Sequence, residues 1–231
     1  NTRHRAKIRY LETRLGREIT PEIEKNIKLI TSLKEFLITN KIGRITCQPF
    51  IAQKLEDSYL GFLSNGGSHI LFRDVTGRES ISWVKYPILP ESMQNHCWYT
   101  TSSELDIFTM DDITINLSEG VFDSLGVKYH LQYDKPDTIN AAICGKSYKH
   151  IIHRLISQGL FGSNVILNIF SDNDQVFNKG KKNNYDTTIM FYRKALVEYL
   201  PLFREINVYY NTIYKDYGTT KDNISLKRYR I

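Results

Sequence analysis

Apolar positions at the start of the chain recur at helical spacing. Ile8, Leu11 and Leu15 fall at i, i+3 and i+7, which predicts a helix over residues 5–18. Thr20-Pro21-Glu22-Ile23-Glu24 reads as a helix start with Pro at the first helical position. A second helix is expected from there to about residue 40, burying Ile23, Ile27, Ile30 and Leu33. Between residues 43 and 89 the apolar pattern shortens to strand-like segments. Residues 45–47, 59–63, 69–73 and 80–86 are the expected strands, with turns at Ser64-Asn65-Gly66-Gly67 and Thr76-Gly77-Arg78-Glu79. Together they predict a small antiparallel sheet.

Residues 90–110 are polar and irregular, and a boundary is expected there. From residue 111 strand and helix patterns alternate: strand 113–117, helix 121–127, strand 139–144, helix 148–158, strand 165–170, helix 187–200, strand 206–210. Such alternation implies a mostly parallel sheet covered on both faces. The expected organisation is an α+β subdomain of helices and a small antiparallel sheet over residues 1–110. An α/β domain with a mostly parallel central sheet is expected over 111–231.

Composition adds a partner class. The chain has 231 residues, 41% hydrophobic and 24% charged, which fits one large or two small globular domains. Lys and Arg number 31 against 25 Asp and Glu, a formal charge of +6. A basic balance suits a nucleic-acid partner. The positive residues cluster: Arg3, Arg5, Lys7, Arg9, Arg14 and Arg17; then Lys179, Lys181 and Lys182; then Lys227, Arg228 and Arg230. Cys47, Cys97 and Cys144 are far apart, with no C-x-x-C pair to suggest structural zinc, and read as reduced thiols of a cytoplasmic protein. No apolar run approaches the roughly 18–20 residues needed to cross a bilayer, and no signal peptide is visible. Because the chain begins at Asn1, we expect it to be cut from a longer protein.

Two acidic groups sit at predicted strand ends. Strand 113–117 runs into Ser118-Glu119-Gly120-Val121-Phe122-Asp123, and strand 165–170 into Ser171-Asp172-Asn173-Asp174. Ligands of open α/β sheets gather at the carboxyl ends of the strands. Asp123 lies one helical turn after Glu119 and can face the same pocket. Clustered carboxylates repel, and a divalent cation such as Mg²⁺, which prefers oxygen ligands, is the usual relief. Acids, Mg²⁺ and a basic surface together point to phosphoryl transfer on nucleotides or nucleic acid.

These residues resemble the TOPRIM domain shared by DnaG-type primases, topoisomerases and some nucleases. Glu119-Gly120-Val121-Phe122-Asp123 looks like the family's first motif and Asp172-Asn173-Asp174 its Asp-x-Asp motif. Ile143-Cys144-Gly145-Lys146-Ser147 looks like the intervening glycine segment of the primase branch, and Lys215-Asp216-Tyr217-Gly218 its later Lys-Asp. The match covers roughly residues 111 to 220. Gly61-Phe62-Leu63 and residues 70–77 are similar to the upstream subdomain of primases, in a form nearest to phage-encoded ones. In that family a zinc-binding segment lies just N-terminal.

The resemblance implies a DNA primase catalytic core that makes short RNA primers from ribonucleoside triphosphates on single-stranded DNA. Glu119, Asp172 and Asp174 would be catalytic and hold Mg²⁺ or Mn²⁺, with Asp123 and Asp216 as supporting ligands. Gly120, Gly145, Lys146, Ser147 and Lys215 would meet nucleotide phosphates, and Arg73, Lys85, Lys181 and Lys182 the template. A replicative helicase would be the partner, and the cytoplasm, of the host if phage-encoded, the location. Two alternatives stay open: a TOPRIM-type nuclease using the same acids, and a non-catalytic DNA-binding module. A topoisomerase would need a further large domain carrying a nucleophilic tyrosine.

Overall fold

The computed structural model describes residues 2–42, 48–88, 97–101, 107–145, 147–177 and 185–231. The strand expected at 45–47 lies outside them. The chain forms two compact units, Asn1–Tyr99 and Thr100–Ile231. The division falls inside the polar stretch 90–110, earlier than the expected 110/111. Thr100 belongs to a strand of the second unit's sheet and Ile107 is buried, so both sides of the polar stretch's later half go with the second unit.

In the first unit, helix α1 (Thr2–Leu15) buries Leu11 and Leu15. The long helix expected next is broken into α2 (Pro21–Asn26), strand β1 (Leu29–Ile30) and α3 (Leu33–Thr39). Lys28 takes a left-handed φ of 53°, which ends the helix, and Ser32 caps α3 by accepting the Glu35 N–H. Ile27, Ile30 and Leu33 are still buried, but from three different elements. Helix α4 (Pro49–Ser58) fills the stretch between the strands expected at 45–47 and 59–63, for which no element was expected. Its exposed Phe50 and Ile51 blur the apolar stripe that would have marked it.

The sheet then runs β1–β2–β3–β4, with β2 (Tyr59–Leu63), β3 (His69–Asp74) and β4 (Trp83–Pro87), every neighbour antiparallel as expected. Gly61 permits the β1–β2 approach: a Cβ there would stand 2.8 Å from Ile70 Cγ2 and 3.2 Å from Ile30 Cβ. One sheet face and helices α3 and α4 enclose Ile30, Leu33, Leu37, Leu55, Tyr59, Ile70, Phe72 and Tyr86. Lys7, from the basic N-terminal run, is buried instead of solvated. Its ammonium donates to the carbonyls of Thr31 (2.8 Å) and Glu56 (2.6 Å), and burial lowers its pKa.

The second unit is built on a six-stranded sheet of order β10–β9–β8–β6–β7–β5. Its strands are β5 (Tyr99–Thr100), β6 (Ile113–Ser118), β7 (Thr138–Ala142), β8 (Gly162–Ser171), β9 (Phe203–Asn211) and β10 (Leu226–Arg230). Helices α5 (Val121–His130), α6 (Tyr148–Ser157), α7 (Asp174–Phe177) and α8 (Tyr185–Leu196) connect them. The β7/β6, β6/β8 and β8/β9 pairs are parallel, as alternation requires, while β10 is an unexpected antiparallel edge strand. Among the described residues no helix is long and apolar enough to cross a membrane.

A row of asparagines crosses the interior of this sheet. Asn140, Asn116, Asn168 and Asn207 are register partners on β7, β6, β8 and β9, each at most 3% exposed. Arg228 Nε donates to Asn207 Oδ1 (2.9 Å), Asn207 Nδ2 to Asn168 Oδ1 (2.9 Å) and Asn168 Nδ2 to Asn116 Oδ1 (2.9 Å). Asn116 Nδ2 continues to Asn140 Oδ1 (3.0 Å), and Asn140 Nδ2 to the Tyr133 carbonyl (2.9 Å). Every bond points the same way, from a guanidinium to a backbone carbonyl.

Below the sheet, Val127 of α5 packs with Phe170 and Tyr217. Gly126 lets the 217–218 segment lie on α5, because a Cβ there would meet the Tyr217 carbonyl oxygen at 2.0 Å.

Two stability changes are expected. Asn168→Leu strands the Asn116 acceptor and one Asn207 N–H inside the sheet, at roughly 1–3 kcal/mol for each orphaned group. Gly126→Ala forces the 217–218 segment off α5, at about 1–3 kcal/mol or more. Urea titration should show both midpoints lowered, and an unchanged midpoint in either would refute the corresponding packing argument.

Candidate active site

The acids gather where two parallel strands end side by side. Ser118, the last residue of β6, is the register partner of Phe170 on β8. The next residues out are Glu119 on one strand and, past Ser171, Asp172-Asn173-Asp174 on the other. The end of β7 joins them: Ile143 N donates to the Ser118 carbonyl (2.9 Å) and Cys144 N to that of Glu119 (3.0 Å). Gly145 and Ser147, the N-cap of α6, come next at this rim, while Lys146 lies outside the described residues.

The acids differ in what they touch. Glu119 is exposed. Asp123 is buried and fully engaged: its Oδ2 accepts Gly120 N–H (3.1 Å), its Oδ1 those of Tyr217 (3.0 Å) and Gly218 (2.9 Å). Burial and then the Asp216 charge push its pKa up to about 7 against the pull of those three N–H groups. Asp216 itself accepts Gly218 N–H (3.0 Å) and so shares this loop.

Asp172 is raised to about 8, first by burial, then by the charges of Asp123, Glu119 and Asp216, with Lys215 opposing. Its Oδ1 is buried and makes no hydrogen bond, and the same holds for Ser118 Oγ and Asn173 Oδ1. The Lys215 ammonium stands 3.2 Å from Asp174 and 3.8 Å from Asp172. Burial works against that ammonium, yet Asp174, Asp172 and Glu119 together raise its pKa.

Several residues of this neighbourhood escape sequence reasoning. Asn173, between the two aspartates, is wholly buried. Its N–H donates to the Lys215 carbonyl (2.6 Å), and its side-chain amide donates to Tyr185 Oη (2.9 Å) and the Asn211 carbonyl (2.7 Å). Asn173 thus ties the turn to the loop carrying Lys215. Tyr192 and Ser171 share a hydroxyl hydrogen bond of 2.8 Å, and Tyr148 packs edgewise on Tyr192. Burial raises the pKa of Tyr148, and Tyr192, Glu119, Asp172 and Asp123 add to it, so its hydroxyl stays neutral beside the acids. Only Tyr148, the first residue of a helix after a glycine segment, carried a visible signal.

The remaining expected residues are dispersed. Arg73 and Lys85 lie on the first unit's sheet. Arg73 is the register partner of Trp83, its guanidinium 5.2 Å from the indole, and Lys85 is exposed opposite Leu71. Lys181 and Lys182 fall outside the described residues. Tyr209 stacks on Phe170 at 4.8 Å and Tyr210 is buried, whereas Tyr214 is exposed. His69 bonds Ser68 Oγ (2.9 Å) and His130 the Thr219 carbonyl (3.0 Å), both structural contacts. Among the described residues no three His, Cys, Asp or Glu side chains converge closely enough to hold a metal ion by themselves.

No family model and no curated protein matches the chain. Among solved structures it is similar to the Aquifex aeolicus primase (zinc binding and RNA polymerase domains), at 12% identity and a TM-score of 0.49, over 93% of this chain and 50% of that one. It is also similar to the RNA polymerase domain of Mycobacterium tuberculosis primase DnaG, solved in complex with a double-stranded DNA oligomer with a 6-nucleotide overhang. There the identity is 11% and the TM-score 0.49, over 93% of this chain and 68% of that one. The chain spans about half the length of the Aquifex chain.

Proposed function

We propose that the second unit is a TOPRIM-type nucleotidyl-transfer centre, and the chain the RNA-polymerase core of a DnaG-type DNA primase, nearest to phage-encoded ones. The observation that carries this reading is the pairing of Ser118 with Phe170, which sets Glu119 and Asp172 at neighbouring carboxyl ends of parallel strands. The raised pKa values of Asp123 and Asp172, due first to burial and then to neighbouring carboxylates, support it, because perturbed acids in one place mark functional sites.

The donor set fits Mg²⁺ or Mn²⁺. Mg²⁺ is usually bound through one or two carboxylates plus waters and substrate phosphates, so a three-carboxylate cage is not required. The buried Asp172 Oδ1, without a hydrogen bond, is a lone pair such an ion would use. One or two of Glu119, Asp172 and Asp174 would hold it, with water and substrate phosphates completing the shell. Bound, it supplies neutralisation of the incoming triphosphate and activation of the primer 3′-hydroxyl.

The chain's own groups do the positioning. Lys215, paired with Asp174, keeps a positive charge at the turn and is placed to turn its ammonium to a phosphate. Gly145, Lys146 and Ser147 precede α6, whose N-terminus favours an anion. Asp123 and Asp216 hold the 217–218 segment and act as supports more than ligands. Arg73 and Lys85 are proposed to meet single-stranded DNA, with ribonucleoside triphosphates as substrates and a replicative helicase as partner.

Extension of a supplied primer on single-stranded DNA with labelled ribonucleotides and Mg²⁺ or Mn²⁺ tests the reading. Glu119→Gln and Asp172→Asn should each lower incorporation by about a hundredfold or more. Full activity in both would sink the site. Nicking of the template in place of extension would favour the nuclease.

Melting curves separate the supporting acid from the others. Asp123→Ala leaves the Gly120 and Tyr217 N–H groups without an acceptor and the Gly218 N–H with Asp216 alone, and should lower the melting temperature by several degrees. Asp172→Asn removes a charge that burial and its neighbours disfavour, so in metal-free buffer above about pH 8, where that carboxylate is ionised, its melting temperature should equal or exceed that of the parent.

A further inference from the structure

Strand β10 presents two different chemistries. Arg228 and Arg230 project to one side, where both pair with the Glu205 carboxylate. Lys227 and Tyr229 project to the other. There the rings of Tyr185, Tyr210 and Tyr229 touch one another, with centroids 5.3, 6.1 and 6.0 Å apart. The Lys227 ammonium stands 4.6 Å from the Tyr185 centroid and 5.2 Å from that of Tyr229. Tyr210 is wholly buried and forms the floor, Tyr185 and Tyr229 are half-buried, and Lys227 is exposed. This cluster adjoins the acidic turn directly, because Tyr185 Oη accepts a hydrogen bond from Asn173.

Of the three cations on the strand, two are held by a carboxylate and the third rests on aromatic faces. An exposed ammonium on a flexible four-carbon stem leaves such faces readily when an anion arrives. A ligand matching this surface therefore carries a negative group to draw off the ammonium and a flat aromatic group to cover the rings. A nucleotide has both, at adjacent positions. In a duplex the base faces are already stacked, whereas a single strand offers them.

We propose that Lys227, Tyr229 and Tyr185 form a binding surface for single-stranded nucleic acid beside the acidic turn, a base stacking on the tyrosines and a neighbouring phosphate taking Lys227. The proposal rests on the reading of the chain as a nucleic-acid enzyme, and its test avoids catalysis altogether.

Fluorescence anisotropy with a labelled oligothymidine, in EDTA and without nucleotides, measures binding alone. Tyr229→Leu should weaken it about tenfold without changing the salt dependence. Lys227→Gln should weaken it and reduce the slope of log affinity against log salt by about 0.7, the loss of one phosphate contact to a single strand. Tyr229→Phe keeps the ring and should restore binding, which guards against Tyr229→Leu acting through misfolding. Parental affinity and slope in both Lys227→Gln and Tyr229→Leu would overturn the surface while leaving the enzyme reading intact. A folded parent chain that binds no single strand would overturn both. Equal losses on a blunt duplex would overturn the single-strand assignment.

Discussion

The side-chain amide of Asn168 donates to Asn116 and accepts from Asn207, and the alignment of the second unit's strands depends on that bond pair and its continuations. In a parallel sheet covered on both faces, strands are apolar nearly throughout, so burial distinguishes one register from the next only weakly. A buried amide does distinguish them. Slipping one strand by a residue would turn its asparagine to the opposite face and strand donors and acceptors on both neighbours. The direction of the row is fixed at its ends, since a guanidinium can only donate and a carbonyl can only accept. With the register fixed, Ser118 stands opposite Phe170, and the acids beyond them have no choice but to meet.

That meeting is unfavourable, and the surrounding structure is arranged around it. Asp123 is buried but surrounded by three N–H groups, which turn its charge into a clasp for the 217–218 segment. Lys215 offsets the pair at Asp172 and Asp174. Asp172 alone combines burial, three unfavourable neighbours and an unbonded oxygen. Sites that must bind a charged ligand commonly hold such unrelieved interactions, because the ligand then relieves them. The five acids, grouped by position in the chain, thus divide into those that hold backbone N–H groups and those whose charge is left less relieved.

The order of strands and helices in the second unit was legible because each strand is a short apolar run and each helix has a recurrent stripe. The strand-end placement of Glu119 and Asp172 came from that order. The break at residues 27–32 was not legible: Ile27, Ile30 and Leu33 suit a helical face, and only the pairing of Leu29 and Ile30 with Phe62 and Gly61 overrides it. Helix α4 was hidden by its exposed Phe50 and Ile51. The asparagine row was invisible for a different reason. Each member reads alone as one polar interruption of a strand, and their relation exists only after the strands align. Lys7 likewise reads as a solvated charge until the carbonyls of Thr31 and Glu56 surround it.

Strand β10 shows how one short segment can serve two purposes through alternation alone. Its Arg228 side chain begins the hydrogen-bonded row that sets the register of the parallel strands. Its Lys227 and Tyr229 lie on the opposite face, against Tyr185, whose hydroxyl holds the amide of Asn173 between the two aspartates. The first route crosses the parallel strands to the Tyr133 carbonyl, and the second runs over the surface to the acidic turn. A strand so placed bonds the end of the asparagine row and packs on the ring that holds Asn173, even though it contributes no acid itself. The antiparallel edge, which alternation of strands and helices gives no reason to expect, is therefore tied both to the asparagine row and to the ring beside the acidic turn.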